Sequence, residues 1–118
     1  MRRRRNKFGA IKTKVDGILF SSKGEAGRYS ELKVLEKVGV ITNLKLQQKF
    51  ALNFYGFKIC TYIADFTYNE PSNSMLIVED FKGVQTAVFK LKWKMMKAIF
   101  PGNDYRITYG RSKTKRTR

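Results

Sequence analysis

Residues 76–83 read Leu-Ile-Val-Glu-Asp-Phe-Lys-Gly, and the fold turns on how that stretch is read. An apolar start followed by two-residue alternation marks a largely buried strand that becomes polar at its end. The strand period puts Val78, Asp80 and Lys82 on one face and turns Glu79 to the other. A charged acid and amine at the end of a buried strand cost desolvation energy unless they pair or hold something.

Just upstream, residues 62–66, Tyr-Ile-Ala-Asp-Phe, form a second apolar run interrupted by one carboxylate. The loop at 69–74, which contains Pro71, predicts a hairpin between the two runs and brings Asp65 and Asp80 onto neighbouring strands. Two carboxylates brought together repel, which raises a pKa or recruits a cation. An adjacent lysine is suited to holding a water or neutralising developing negative charge. This is the pattern of a Mg²⁺-dependent phosphodiesterase site.

The whole chain narrows the chemistry further. Its 118 residues, 42% of them hydrophobic, suffice for one domain over 1–118 with a modest core. No apolar run approaches the roughly 20 residues that cross a membrane, and no signal-peptide core follows the N-terminal arginines. The expected location is therefore the cytoplasm, the host's if the chain is phage-encoded. The single cysteine, Cys60, rules out an internal disulfide and is expected to be buried and inert. The absence of histidine excludes His-metal nucleases, the usual zinc fingers and Ser-His or Cys-His catalytic pairs. A formal charge of +16 implies a polyanionic partner, with nucleic acid ahead of an acidic membrane surface.

Taken in order, the chain opens on a basic arm, residues 1–7, with Arg2, Arg3, Arg4 and Arg5, and closes on a basic tail, residues 111–118. Both are expected to be mobile unless bound to phosphate. Asp16-Gly17 centres a short β-ribbon over 12–20. Ser21 or Ser22 caps a helix that runs to about Val38 and stops at Gly39. On this helix Glu25 is placed to look toward the sheet from the first turn, with Glu31 in reserve as the helix acid. Strands are expected over 44–54, 58–68 and 75–82, with a turn near Tyr55-Gly56. Thr86 begins a second helix that ends at Pro101-Gly102, and residues 105–109 supply a last strand. Val88, Leu91, Met95, Ala98 and Ile99 are expected to pack inward, leaving Lys90, Lys94 and Lys97 on an exposed arc with Lys92 nearby.

Asp65 followed by Asp80-Phe81-Lys82 matches the PD-(D/E)XK nuclease pattern. The surrounding phrases resemble those of a phage and prophage family of small predicted endonucleases related to Holliday junction resolvases. These phrases are 15–18 (Val-Asp-Gly-Ile), 20–25 (Phe-Ser-Ser-Lys-Gly-Glu), 46–50 (Leu-Gln-Gln-Lys-Phe), 62–66, 79–83 and 86–92. One D…DxK arises easily by chance, whereas six phrases in the right order do not. The resemblance implies an α/β (α+β) fold with a restriction-endonuclease-like αβββαβ core behind the N-terminal ribbon. It implies Asp65, Asp80 and Glu25 as ligands of Mg²⁺ or Mn²⁺, with the Phe81 carbonyl as a further ligand. Lys82 would orient water or stabilise charge on the phosphorane, and no small-molecule cofactor is called for. Gln47 would line the site, and Lys90, Lys92 and Lys94 would join the arm arginines in binding DNA. The substrate implied is branched DNA, such as a Holliday junction, cut by a homodimer. The competing expectation is a non-catalytic nucleic-acid-binding protein that keeps the nuclease fold. Ser21, where the family commonly has aspartate, and the helix-weakening pair Gly24 and Gly27 bear on that alternative.

Overall fold

The structure is a computed structural model that describes residues 12–109 and 114–116. A ribbon of β1 (Thr13–Val15) and β2 (Ile18–Phe20) leads into α1 (Lys23–Lys37). Three long strands follow, β3 (Thr42–Phe54), β4 (Phe57–Glu70) and β5 (Asn73–Lys82), and then α2 (Ala87–Ile99), β6 (Asp104–Tyr109) and β7 (Thr114–Arg116). The main sheet has the order β3-β4-β5-β6-β7. β5 and β6 are parallel, joined by α2 as the crossover, and the other pairs are antiparallel. The fold is thus α+β, with the order helix, three strands, helix, strand that the sequence predicts. Arg2–Arg5 lie outside the described residues. β7 adds a short strand where the sequence reading has only a basic tail.

Local signals explain the element ends. The ribbon turns at Asp16 and Gly17, both at positive φ (52° and 76°), as a two-residue hairpin requires. Tyr29 ties this turn to α1 by donating its hydroxyl to Asp16 Oδ2 at 3.0 Å. Ser22 is the helix cap, its Oγ accepting the Glu25 N–H at 3.0 Å, and Gly39 ends the helix at φ +86°. Thr86 caps α2 in the same way, accepting the Phe89 N–H at 3.1 Å.

Strand alternation sends adjacent residues of β5 to opposite sides. Ile77 joins Phe20, Tyr29, Leu32, Ile41 and Phe66 beneath α1, while Val78 joins Leu52, Tyr62, Phe89, Trp93 and Met96 beneath α2. Cys60 packs at the edge of the second cluster and is half-buried, less enclosed than its apolar neighbours imply. The inward face of α2 corrects the sequence reading. Val88, Leu91 and Ala98 are exposed, and Phe89, Trp93 and Met96 form the buried stripe, with Met95 and Ile99 at its edge. α2 carries apolar residues around most of its circumference, so periodicity leaves its rotation open, and the larger area of the two aromatic rings decides it.

α1 packs tightly on β5 at Gly24, where a Cβ would stand 2.5 Å from Phe81 Cζ. Gly27, by contrast, has nothing within 4 Å of the same position. The two glycines of one helix therefore respond oppositely to alanine. Gly27→Ala is expected to raise the unfolding free energy by about 0.5–1 kcal/mol through helix propensity. Gly24→Ala is expected to lower it by about 1–3 kcal/mol through overpacking against Phe81. Urea unfolding of the two variants beside the wild type checks both signs.

Candidate active site

The site is built where β4 and β5 part. Their ladder runs from Glu70↔Asn73 to Phe66↔Glu79 and goes no further. Beyond it β4 follows β3 alone, pairing Ala64 with Gln48 and Tyr62 with Phe50, while β5 continues beside β6, pairing Asp80 with Ile107 and Lys82 with Tyr109. Asp65 and Asp80 are the first residues past this fork. Gln47, opposite the break, has φ 54°, a left-handed conformation that interrupts the pleat of β3. Across that point the apolar residues of the β3–β4 hairpin change sides. Leu44, Leu46 and Phe66 belong to the α1 cluster, whereas Phe50, Leu52, Tyr62 and Ala64 belong to the α2 cluster.

Each acid at the fork is held separately. Asp65 Oδ2 accepts the Phe81 N–H at 2.8 Å. Asp80, fully buried, accepts the Tyr62 hydroxyl through Oδ2. Lys82 Nζ stands 3.0 Å from Asp80 Oδ1 and 4.2 Å from the centre of the Phe89 ring. That ammonium is close but poorly aligned, so Asp80 Oδ1 is a buried oxygen without a hydrogen bond. Glu25 is buried in the first turn of α1 and accepts the Ser21 hydroxyl at 2.6 Å.

Burial and crowding keep protons in this cluster. Burial pushes the Asp65 carboxyl up to about 9, helped by the Asp80 charge, a hydrogen bond with Asp80 and the Glu25 charge, and the Phe81 N–H offsets this only in part. Glu25 is raised by burial; the Ser21 hydrogen bond opposes the rise, the Asp80 charge adds to it and the Lys82 charge reduces it. Tyr62 is held far above the ordinary tyrosine range by burial and then by the Asp80 charge, so it remains a donor. Asp65 also lines two cavities. One, of about 210 Å³, is shared with Ser21, Glu25, Leu46 and Gln47; the other, of about 270 Å³, is shared with Tyr62, Asp80, Lys82, Thr86 and Lys92.

The candidates from sequence fall into clear places. Asp65, Asp80, Lys82 and Glu25 meet at the fork, and Gln47 lines the smaller cavity. Glu31 is exposed and pairs with Arg28 at 3.3 Å, away from both cavities. Glu79 points to the other face, as the alternation requires, and is held by Arg28 at 2.6 and 2.9 Å and by Tyr68 at 2.5 Å. Phe81 contributes its N–H to Asp65 and is paired with Thr108 in the ladder. Lys90 and Lys94 are exposed, while Lys92 donates to the Thr61 carbonyl at 3.0 Å and lines the larger cavity. Lys97 leaves the expected exposed arc: it is half-buried, with its ammonium 5.7 Å from the centre of the Trp93 ring. Tyr62 and Ser21, which bond the acids directly, lie inside two of the matching phrases, yet the sequence reading assigns neither of them a role in the site. The demand of a buried tyrosine hydroxyl for a partner is the signal that points to Tyr62.

Oxygen donors without histidine suit a hard divalent cation, and the orphaned Asp80 Oδ1 beside mutually repelling acids is a place where such a charge relieves strain. Among the described residues no three of these acids are drawn together closely enough to enclose an ion as they stand. The fit is thus one of donor chemistry and charge.

Fold and site together define a small α+β protein in which a buried acid and a lysine end one strand of a parallel pair and face a second, half-buried acid from the neighbouring strand. Residues 5–115 match the family described as a protein of unknown function, DUF1064, and the chain belongs to that family. Comparison with curated proteins and with solved structures found no match.

The raised Asp65 has a measurable consequence. Without divalent cation the native chain keeps a proton on Asp65 up to about pH 9, whereas an unperturbed aspartate releases it near 3.8. The native state therefore binds more protons than the unfolded state in that window, and this group lowers the unfolding free energy as pH rises through it. Asp65→Asn is expected to flatten the pH dependence and to stabilise the metal-free protein most at the alkaline end. Urea titrations at pH 5, 7 and 9 in EDTA, wild type against variant, read the difference.

Proposed function

We propose that this chain is a metal-dependent DNA endonuclease of the PD-(D/E)XK type that hydrolyses phosphodiester bonds in branched DNA, as a Holliday junction resolvase does. The observation that carries the reading is the Asp65–Asp80 pair at a strand fork, Asp80 buried and Asp65 half-buried, with Lys82 ion-paired to Asp80 and Glu25 within electrostatic reach. The element order, α1 before three antiparallel strands and α2 crossing over to a parallel β6, supports the same reading.

Asp65, Asp80 and Glu25 would hold Mg²⁺ or Mn²⁺. When bound, that ion supplies charge neutralisation at the phosphate and a more acidic water. The chain's own parts then have separate tasks. Lys82, set between the Asp80 carboxylate and the Phe89 ring, presents its ammonium toward the larger cavity, where it stabilises charge on the phosphorane. Tyr62 fixes the rotamer of Asp80, and Ser21 that of Glu25. Lys90 and Lys94, on the helix that follows the site, reach phosphates flanking the scissile one, and Lys92 lies nearer the reacting group. Cutting both strands of a junction symmetrically calls for two sites, which a homodimer supplies.

The test is cleavage of a labelled four-way junction, beside matched duplex and single strand, in Mg²⁺, Mn²⁺ or EDTA. The wild type is expected to cut the junction in metal alone. Asp80→Ala is expected to abolish cutting while retaining binding, and Lys82→Met to slow it by about 10²-fold or more. Lys90→Ala with Lys94→Ala is expected to weaken binding to all substrates and to reduce the slope of log affinity against log salt by about one for each phosphate no longer neutralised. Tight binding with no cutting in either metal would replace the enzyme by a binding protein.

A further inference from the structure

Beyond the fork the β3–β4 hairpin projects as a two-stranded arm, and the residues at its tip are poorly chosen for the stability of the arm itself. Phe54, Tyr55 and Phe57 are 61%, 87% and 72% exposed. The turn places Tyr55 at φ 49° and Gly56 at φ 79°, the two-residue geometry for which Asn-Gly is the favoured pair. A bulky tyrosine in the left-handed region is costly, yet this ring packs only edge-on against Phe54, at 4.5 Å between centres. A further irregularity lies just below, where Ile59 is bulged out between the pairs Leu52↔Cys60 and Asn53↔Lys58. The arm has no acidic residue from Gln48 to Ala64, and its Lys49 and Lys58 are exposed.

We propose that this tip is a stacking element that presses Tyr55 and its aromatic neighbours against unstacked bases of a branched nucleic acid, a substrate taken from the endonuclease reading. Like charge disfavours a second copy of the same arm as its occupant, whereas a polyanion with open π-faces satisfies both the lysines and the rings. Eight residues of strand separate Asp65 from Phe57, roughly 26 Å at ~3.3 Å per residue. The bases contacted are therefore several steps away from the phosphate at Asp80.

The experiment uses the full chain in EDTA and reads binding to a four-way DNA junction carrying 2-aminopurine at the branch, beside duplex of the same sequence. Tyr55→Asn installs the turn's preferred dipeptide, so its melting temperature is expected to hold or rise, and Phe57→Ser is the second variant. Each is expected to weaken junction binding by about tenfold, to abolish the 2-aminopurine response and to leave duplex binding unchanged. Equal losses on junction and duplex, or no loss, would overturn the proposal. So would a wild-type dimer that dissociates in Tyr55→Asn, which would put a second copy on the tip. Because no cleavage is read, a chain that stacks at the branch but never cuts in metal keeps this contact and loses the endonuclease reading alone.

Discussion

The parting of β4 from β5 is the constraint on which the site depends. A continued ladder would make Asp65 and Asp80 a directly opposed cross-strand pair, two like charges side by side on one face. Ending it at Phe66↔Glu79 leaves the two acids at the fork, with Asp65 raised by burial and by the Asp80 charge and on the walls of two cavities, the second of which Asp80 shares. The left-handed Gln47 allows the divergence, because it lets the β3–β4 ribbon turn its apolar face from α1 to α2 without losing register. The same ribbon then serves two cores in succession, as a flat regular strand pair would not.

Glu79 and Asp80, neighbours in sequence, are buried to the same depth and matched very differently. Glu79 is fully buried but matched: Arg28 grips both oxygens and Tyr68 donates a third bond, so its charge is satisfied by fixed partners. That pair is expensive to break from either side, since the remaining charge would be buried alone. Asp80 is equally buried and less firmly matched: the Tyr62 hydroxyl donates to Oδ2, the Lys82 ammonium stands 3.0 Å from Oδ1, and its remaining partner is the Asp65 carboxyl, a second acid. Of the two, only Asp80 lies on a cavity wall beside a lysine, which is why the proposed site is built on it and not on Glu79.

How much of this is legible in the sequence depends on which interaction decides each feature. Two-residue alternation places Glu79 opposite Asp80, and local chemistry places the turn at Asp16-Gly17, the cap at Thr86 and the stop at Gly39, because these depend on near neighbours. Between the two helix acids, Glu25 is buried at the fork and Glu31 exposed, a choice that needs the tertiary packing of α1. The rotation of α2 escapes periodicity because Val88 and Leu91 are as apolar as the stripe that is buried, and only competition for the sheet surface ranks them below Phe89 and Trp93. The fork itself has no signature, since a glutamine at positive φ looks like any other strand glutamine until the backbone is seen.

Phe81 explains why α1, the sheet and the acids are set together. Its side chain faces away from Asp80 and Lys82 and meets α1 at Gly24, one residue before Glu25. Its N–H meanwhile fixes Asp65 on the neighbouring strand. A shift of that one residue therefore moves the depth at which α1 docks, and with it Glu25, while loosening Asp65. Packing on one face of β5 and carboxyl placement on the other are thus not independent, because a rigid strand transmits the displacement between them. The apolar residue between an acid and a lysine is the joint through which the helix acid is brought to the pair.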